Sequence, residues 1–265
     1  VDSKISDFGS KSISKLLIKQ SVPAAIGILV MSLNILIDTI FVGHWIGSHA
    51  IAAINVVLPV SFFIAALGMS IGVGGSSIIS RALGARTIEK ALKTFGNQIT
   101  LTLSLTITFI IFGLYYIDDI IPLFGGKGSI YDSAKIYYRI VLYGVPLLAL
   151  SMMGNTVIRS EGKPKYAMYA MVIPSITNLI FDIILIKYFN LGMLGAAWAT
   201  TGSYGFCFIF IAWFFLSKNS KMKIQAKHFF LKISIVTEIA SLGSITLSRQ
   251  AIVSVTYLIM NNILF

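Results

Sequence analysis

Charge is scarce in this chain. Asp, Glu, Lys and Arg make up 12% of its 265 residues, about half of the roughly 25% found in soluble domains. So few ionic groups cannot cover a water-facing surface, which excludes an ordinary soluble domain. A hydrophobic share of 56% and a mean hydropathy of +0.86 point instead to burial in a membrane. Cysteine is nearly absent. Cys207 is alone and sits in an apolar run, so it forms no intramolecular disulfide and belongs to no CxxC metal site. It reads as a small packing residue. Histidine is almost as rare. His44 and His49 flank a short loop without a third ligand, and His228 lies in another loop, so neither a metal site nor a Ser/His/Asp or Cys/His grouping can be assembled. No catalytic cluster emerges, and an enzyme is not expected. The polar start, residues 1–14, lacks the apolar core of a cleaved signal peptide, so the first transmembrane helix is expected to direct targeting.

What the chain has in abundance is long apolar runs. Stretches free of Lys, Arg, His and Glu cover residues 20–43, 50–80, 94–117, 140–158, 166–186 and 188–217, and a further run covers 233–265. Each is close to the roughly 20 residues that cross a bilayer core as a helix. The predicted spans are 17–43, 50–80, 94–117, 134–158, 165–187 and 192–217. A polar connection follows at 218–232, and a seventh helix begins at 233. That helix meets no Gly cap, Pro or charged turn before residue 265, so the chain is expected to continue in the natural protein. The fold class predicted is all-α and integral to the membrane.

The formal net charge of +11 would suggest nucleic acid in a soluble protein, but here the basic residues sit in short loops and no basic patch is interleaved with aromatics. Lys4, Lys11, Lys15 and Lys19 precede the first span. Arg81, Arg86, Lys90 and Lys93 lie between the second and third, Arg159, Lys163 and Lys165 between the fourth and fifth, and Lys218, Lys221, Lys223, Lys227 and Lys232 after the sixth. The opposite loops carry only Lys127, Lys135, Arg139 and Lys187. This bias places the N-terminus in the cytoplasm.

Carboxylates well inside apolar runs are costly and mark ion or substrate paths. Asp38 and Asp182 are such residues. Each belongs to an Asn-x-x-x-Asp pair, Asn34 with Asp38 and Asn178 with Asp182, so amide and carboxylate share one helix face. Each aspartate stands five residues from the outer end of its run, at about 8 Å depth. Thr200 lies on the sixth span and Tyr137 at the outer start of the fourth. Carboxylates with an amide and a hydroxyl suit a hard cation, and a buried carboxyl pair equally suits a proton. Prolines interrupt the spans at Pro23, Pro59, Pro146 and Pro174, each freeing a backbone carbonyl and bending its helix. Gly68, Gly72, Gly74 and Gly75 with Ser76 and Ser77 form a small-residue stripe that suits close helix packing. Arg249, in the seventh helix, is expected either to snorkel to the inner surface or to pair with Glu238.

The stretch NILIDTIFVGHWIGSHAIAA (Asn34 to Ala53) resembles the first helix and outer loop of multidrug and toxic compound extrusion (MATE) transporters. SRALGARTIEKA (Ser80 to Ala91) and NTVIRSEGKPKYAM (Asn155 to Met168) resemble their cytoplasmic loops, and NLIFDIILI (Asn178 to Ile186) and GAAWATTGS (Gly195 to Ser203) their fifth and sixth helices. The likeness covers nearly the whole chain and looks closest to the prokaryotic DinF-like branch. It departs at the seventh helix, where Gly243, Ser244 and Ile245 replace the family's Gly-x-Pro.

The resemblance implies half of a twelve-helix, two-lobe protein: an N-lobe at 1–217, a cytoplasmic inter-lobe linker at 218–232, and a truncated seventh helix at 233–265 opening the C-lobe. It implies a multi-pass protein of the inner (plasma) membrane that exports amphipathic, often cationic organic compounds against H+ or Na+ by alternating access, with no other cofactor. The partners implied are those substrates, the lipid bilayer and the missing C-lobe, with no nucleic acid. The cation or proton site it implies is Asp38, Asn178, Asp182 and Thr200, with Tyr137 and Asn34 in support and Pro23 as the bending residue. A lipid-linked oligosaccharide flippase of the same superfamily is the alternative. It would favour basic residues in the central cavity, for which Arg249 is the candidate here.

Overall fold

The computed structural model describes residues 12–264, so Lys4 and Lys11 of the basic tail lie outside the described residues. The architecture is a helical bundle. Helix α1 spans Ile13–Trp45, α2 Ser48–Gly84, α3 Ile88–Tyr115 and the short α4 Ile117–Leu123. Helix α5 spans Tyr131–Ser160, α6 Pro164–Asp182, α7 Gly192–Leu216 and α8 Ile233–Leu264. All of these but α4 belong to elements long and apolar enough to cross a membrane. There are no strands among the described residues.

Most helices outrun the apolar runs that nucleate them. Helix α1 starts before Lys15 and Lys19, α2 continues through Arg81, α3 begins ahead of Glu89, Lys90 and Lys93, and α5 includes Asp132, Lys135 and Arg139. The apolar run records the hydrocarbon core, whereas a helix persists through the headgroup layer, where long charged side chains reach water. The third run behaves differently: α3 stops at Tyr115, inside the run, and the chain turns at Tyr116 before starting α4.

Helices α2 and α5 form the centre. Helix α2 packs along α5 and α8, α5 also along α7, α6 bridges α7 and α1, and α1 touches α2 only lightly. The small residues of α2 serve three neighbours. A Cβ on Gly68 would come within 2.4 Å of the Ala149 carbonyl oxygen on α5, and one on Gly74 within 2.2 Å of the Ile239 carbonyl oxygen on α8. Gly75 lies against the amide of Gln98 on α3, which donates to the Ile71 oxygen at 2.7 Å. Backbone-to-backbone approach of this kind needs glycine, and it substitutes for the hydrophobic drive that lipid removes. The α2–α8 seam is also pinned by Ser70 Oγ donating to the Gly243 oxygen at 2.9 Å.

Glu238 on α8 pairs with Arg81 at 2.9 Å and approaches Lys90 at 4.0 Å. The expected Glu238–Arg249 pairing is therefore corrected: eleven residues, about three turns or 16 Å, separate those two along one helix, while Arg81 stands directly opposite.

Proline and cysteine are linked by one bond. Pro174 in α6 has no N–H to give to the Ala170 carbonyl one turn back. The Cys207 thiol on α7 takes that oxygen at 3.0 Å. Cys207 is thus more than a packing residue: it satisfies a backbone acceptor freed by the proline.

Candidate functional site

The site forms where α1 meets α6, toward the C-terminal ends of both helices. Asn34 Nδ2 donates to Asn178 Oδ1 at 2.9 Å and, at 3.3 Å, to the Ser175 carbonyl oxygen. One helical turn further along each helix stands an aspartate. Asp182 is fully buried, at 0% exposure, and neither of its carboxyl oxygens has a hydrogen-bond donor among the described residues. The Asp38 carboxyl, partly buried on α1, lies in direct interaction range of it. Two carboxylates have no proton to share. A stable bond between them requires that one of them carry a hydrogen, or that a cation stand between them.

A second polar pair borders the first. Tyr137 on α5 and Thr200 on α7 lie 3.2 Å apart, hydroxyl to hydroxyl, and Thr200 also donates to the Ala196 oxygen at 3.1 Å. Tyr137 is in electrostatic reach of both Asp38 and Asp182. Tyr204, one turn further along α7, is in electrostatic reach of Asp38. The structure therefore gathers Asp38, Asp182, Asn34, Asn178, Tyr137 and Thr200 from helices α1, α5, α6 and α7. Pro23 is not among them. It is buried in α1 fifteen residues before Asp38, about 22 Å along the axis.

Asp182 occupies a particular backbone position. It is the last residue of α6 before the chain continues as a π-helix over Ile183–Tyr188. Such widened turns are rare and recur at functional sites. They leave the backbone locally less regular and shift the facing of the side chains beside them. Nothing in the local sequence announces this change. Tyr204 and the Ser175 carbonyl were also unforeseen, although Tyr204 sits four residues after Thr200 and therefore on its face.

The arrangement offers hard oxygens: both carboxyls, the Tyr137 and Thr200 hydroxyls, and the Asn178 carbonyl already bonded to Asn34. This donor chemistry fits a proton or a small hard cation and contains no soft ligand.

The signature of the MatE family matches residues 23–184, more than half of the chain and both aspartates. The chain belongs to this family. Multidrug export protein MepA of Staphylococcus saprophyticus is 28% identical over 260 residues, covering 98% of this chain and 58% of MepA. Two solved structures described as a multidrug resistance MATE family transporter of the MOP superfamily share the fold. The outward-facing one has a TM-score of 0.82 at 33% identity, covering 89% of this chain and 52% of that one. The inward-facing one has a TM-score of 0.84 at 32% identity, covering 93% and 56%. The chain thus spans a little over half the length of the relatives it matches. It is a multi-pass membrane protein of the MatE family.

Proposed function

We propose that the natural protein is a secondary active multidrug exporter, not an enzyme, that moves amphipathic or cationic compounds out of the cell in exchange for H+ or Na+ by alternating access. One observation carries the reading. A fully buried carboxyl, Asp182, has no donor to either oxygen among the described residues and interacts with a second carboxyl, Asp38, on a different helix. A protein tolerates such a pair in a membrane when an exchangeable cation or proton completes it. MepA is named a multidrug export protein. The MATE family transporter is described in outward- and inward-facing conformations.

The residues suggest how coupling would work. Helix α1 leans chiefly on α6 and hardly on α2, so its position depends on the α1–α6 contact. An ion or proton between Asp38 and Asp182 ties the two helices at the outer end. Its release leaves two negative charges facing each other across that seam and drives them apart. Pro23, nearer the inner end of α1, lacks the N–H that would hold the helix straight there. The asparagine pair keeps register while the carboxyls change state. In this reading the N-terminus is cytoplasmic in the plasma membrane, in line with the Lys and Arg bias of the loops.

The test is dye efflux from cells making the natural full-length protein, beside Asp38→Asn and Asp182→Asn at matched expression. Export by the parent and failure of both variants supports the reading, and separate pH and sodium gradients then name the ion. Variants that export as well as the parent would sink the site assignment. A parent that exports nothing would turn attention to a lipid-linked substrate.

A further inference from the structure

The connection between α7 and α8, expected as a cytoplasmic linker at 218–232, is built onto the side of α3. A Cβ on Gly96 would lie 2.2 Å from the His228 carbonyl oxygen, so the connecting backbone rests directly on the helix at that glycine. Asn97 Nδ2 donates to the oxygens of His228 at 3.3 Å and Phe230 at 3.1 Å, and Asn97 Oδ1 accepts from the Lys232 N–H at 2.7 Å. Thr100 Oγ1 donates to the Phe229 oxygen at 2.8 Å. His228 is buried at 1% exposure. Its Nδ1 accepts from the Gln225 N–H at 2.9 Å, and its Nε2 faces Glu89 at 3.4 Å.

The depth of this contact is what matters. Lys93 is the last charged residue near the inner end of α3, and the apolar run begins at Thr94. Gly96, Asn97 and Thr100 lie two to six residues inside it, about 3–9 Å deeper along the axis. Beyond a single 3-10 turn at Ala226–His228 the segment they hold is not helical, and in hydrocarbon a non-helical backbone survives only where its polar groups are satisfied within the protein. Here the three successive carbonyls of His228, Phe229 and Phe230 each find a side-chain donor on α3. The side chains turned away are apolar: Phe230 is 76% exposed and Leu231 49%, and Ile233, at the start of α8, is 81% exposed. Exposed Lys232 stands between Leu231 and Ile233, and Lys227 precedes the group, its ammonium reaching Glu89 at 3.4 Å. Aromatic and aliphatic side chains beside lysines match the interface of an inner leaflet, with acyl chains for the rings and lipid phosphates for the cations.

We propose that residues 229–233 form a membrane-embedded wedge, with Phe230 and Leu231 inserted among the acyl chains of the inner leaflet and Lys232 at the phosphate level. The segment is then a fixed strut of the six-helix unit and not a free tether in water. Any motion of α8 relative to that unit has to begin after Lys232.

The test places a nitroxide label at Phe230→Cys, and separately at Leu231→Cys, in the natural full-length protein with all other cysteines replaced. The protein is reconstituted into vesicles of phosphatidylcholine and phosphatidylglycerol. Labels at Lys218→Cys and Ile111→Cys serve as water and acyl-chain references. Power-saturation EPR compares collision with oxygen and with a water-soluble nickel chelate. The expected oxygen-to-nickel ratio at 230 and 231 is several-fold above that at 218 and below that at 111. A ratio equal to that at 218 puts the segment in water and overturns the proposal. Low collision with both reagents means that another part of the protein covers the segment, and overturns it equally.

Discussion

Asn34 and Asn178 face each other across the α1–α6 seam, joined by a 2.9 Å hydrogen bond one turn inward of the two aspartates. The bond lies in the membrane part of the molecule, where interhelical polar bonds contribute about 0.6–2 kcal/mol. We expect Asn34→Ala to lower unfolding stability in detergent by about 1 kcal/mol and, under the proposed function, to reduce dye efflux by the natural full-length protein more than stability alone accounts for. Because the two amides act as one unit, a double-mutant cycle with Asn178→Ala should give a coupling energy of about 0.5–2 kcal/mol. Strict additivity would show that the bond does not hold the seam.

A different kind of contact holds the centre. Gly68 lies so close to Ala149 that its added Cβ would fall 2.4 Å from the carbonyl oxygen and 2.8 Å from the Cα. Both are backbone atoms, so no side chain can swing aside. Gly68→Ala should destabilise the protein by about 1–3 kcal/mol, read as a lower midpoint in thermal unfolding. Gly84→Ala is the control, since a Cβ there meets nothing within 4 Å. Its midpoint should stay within a degree or two.

The membrane class, the helices and the polar residues inside them could be read from composition and run length, because hydrocarbon imposes one requirement on every span: apolar surface with its backbone bonded internally. The pairing of Asn34 with Asn178 was legible in part. Both lie four residues before an aspartate, which places the members of each pair on one face, but only the bundle brings the two faces together. Other features had no local signal. The π-turn after Asp182, over Ile183–Tyr188, is marked by no residue pattern in the sequence. Arg81 finds Glu238 from 157 residues away, so the sequence offered the nearer but misplaced Arg249. The docking of residues 228–232 rests on Gly96, Asn97 and Thr100, which along α3 look like ordinary small and polar residues of a span.

The loop between α5 and α6 adds a pH-dependent fastening. Glu161 accepts from the Ser220 hydroxyl at 2.6 Å and from the Lys221 N–H at 3.0 Å. Burial is the dominant influence on its carboxyl and holds it above the ordinary value of 4.5, despite these donors and the nearby Lys163 and Lys221. The sign follows. Below pH 4.5 the carboxyl is protonated whether the connection is docked or released, and the docking contribution is complete. As pH rises through the raised value, the released form ionises first, and docking weakens. Hydrogen exchange of the amides at 218–224, corrected for intrinsic rates, should therefore accelerate from pH 4.5 upward and level off above the raised value. In Glu161→Gln, which keeps an acceptor but cannot ionise, that rise should disappear.

The ion pair between Arg81 on α2 and Glu238 on α8 offers the last prediction. Their side chains are 62% and 34% exposed, so solvent screens the attraction and its stabilising effect is at most about 1 kcal/mol. Its weight lies in selecting which surfaces of α2 and α8 meet, since the same seam contains the Ser70–Gly243 bond and the contact of Gly74 with Ile239. Glu238→Arg would put like charges beside Arg81 and Lys90 and should open the inner end of this seam. Cysteine at Ile78, buried at 1% exposure on α2, should then react faster with an impermeant thiol reagent in inside-out vesicles. The reversed pair, Arg81→Glu with Glu238→Arg, should bring labelling back toward the parent rate, short of full recovery because Lys90 still approaches position 238. An equal labelling rate in the single and the swapped variants would show that this ion pair does not select the seam.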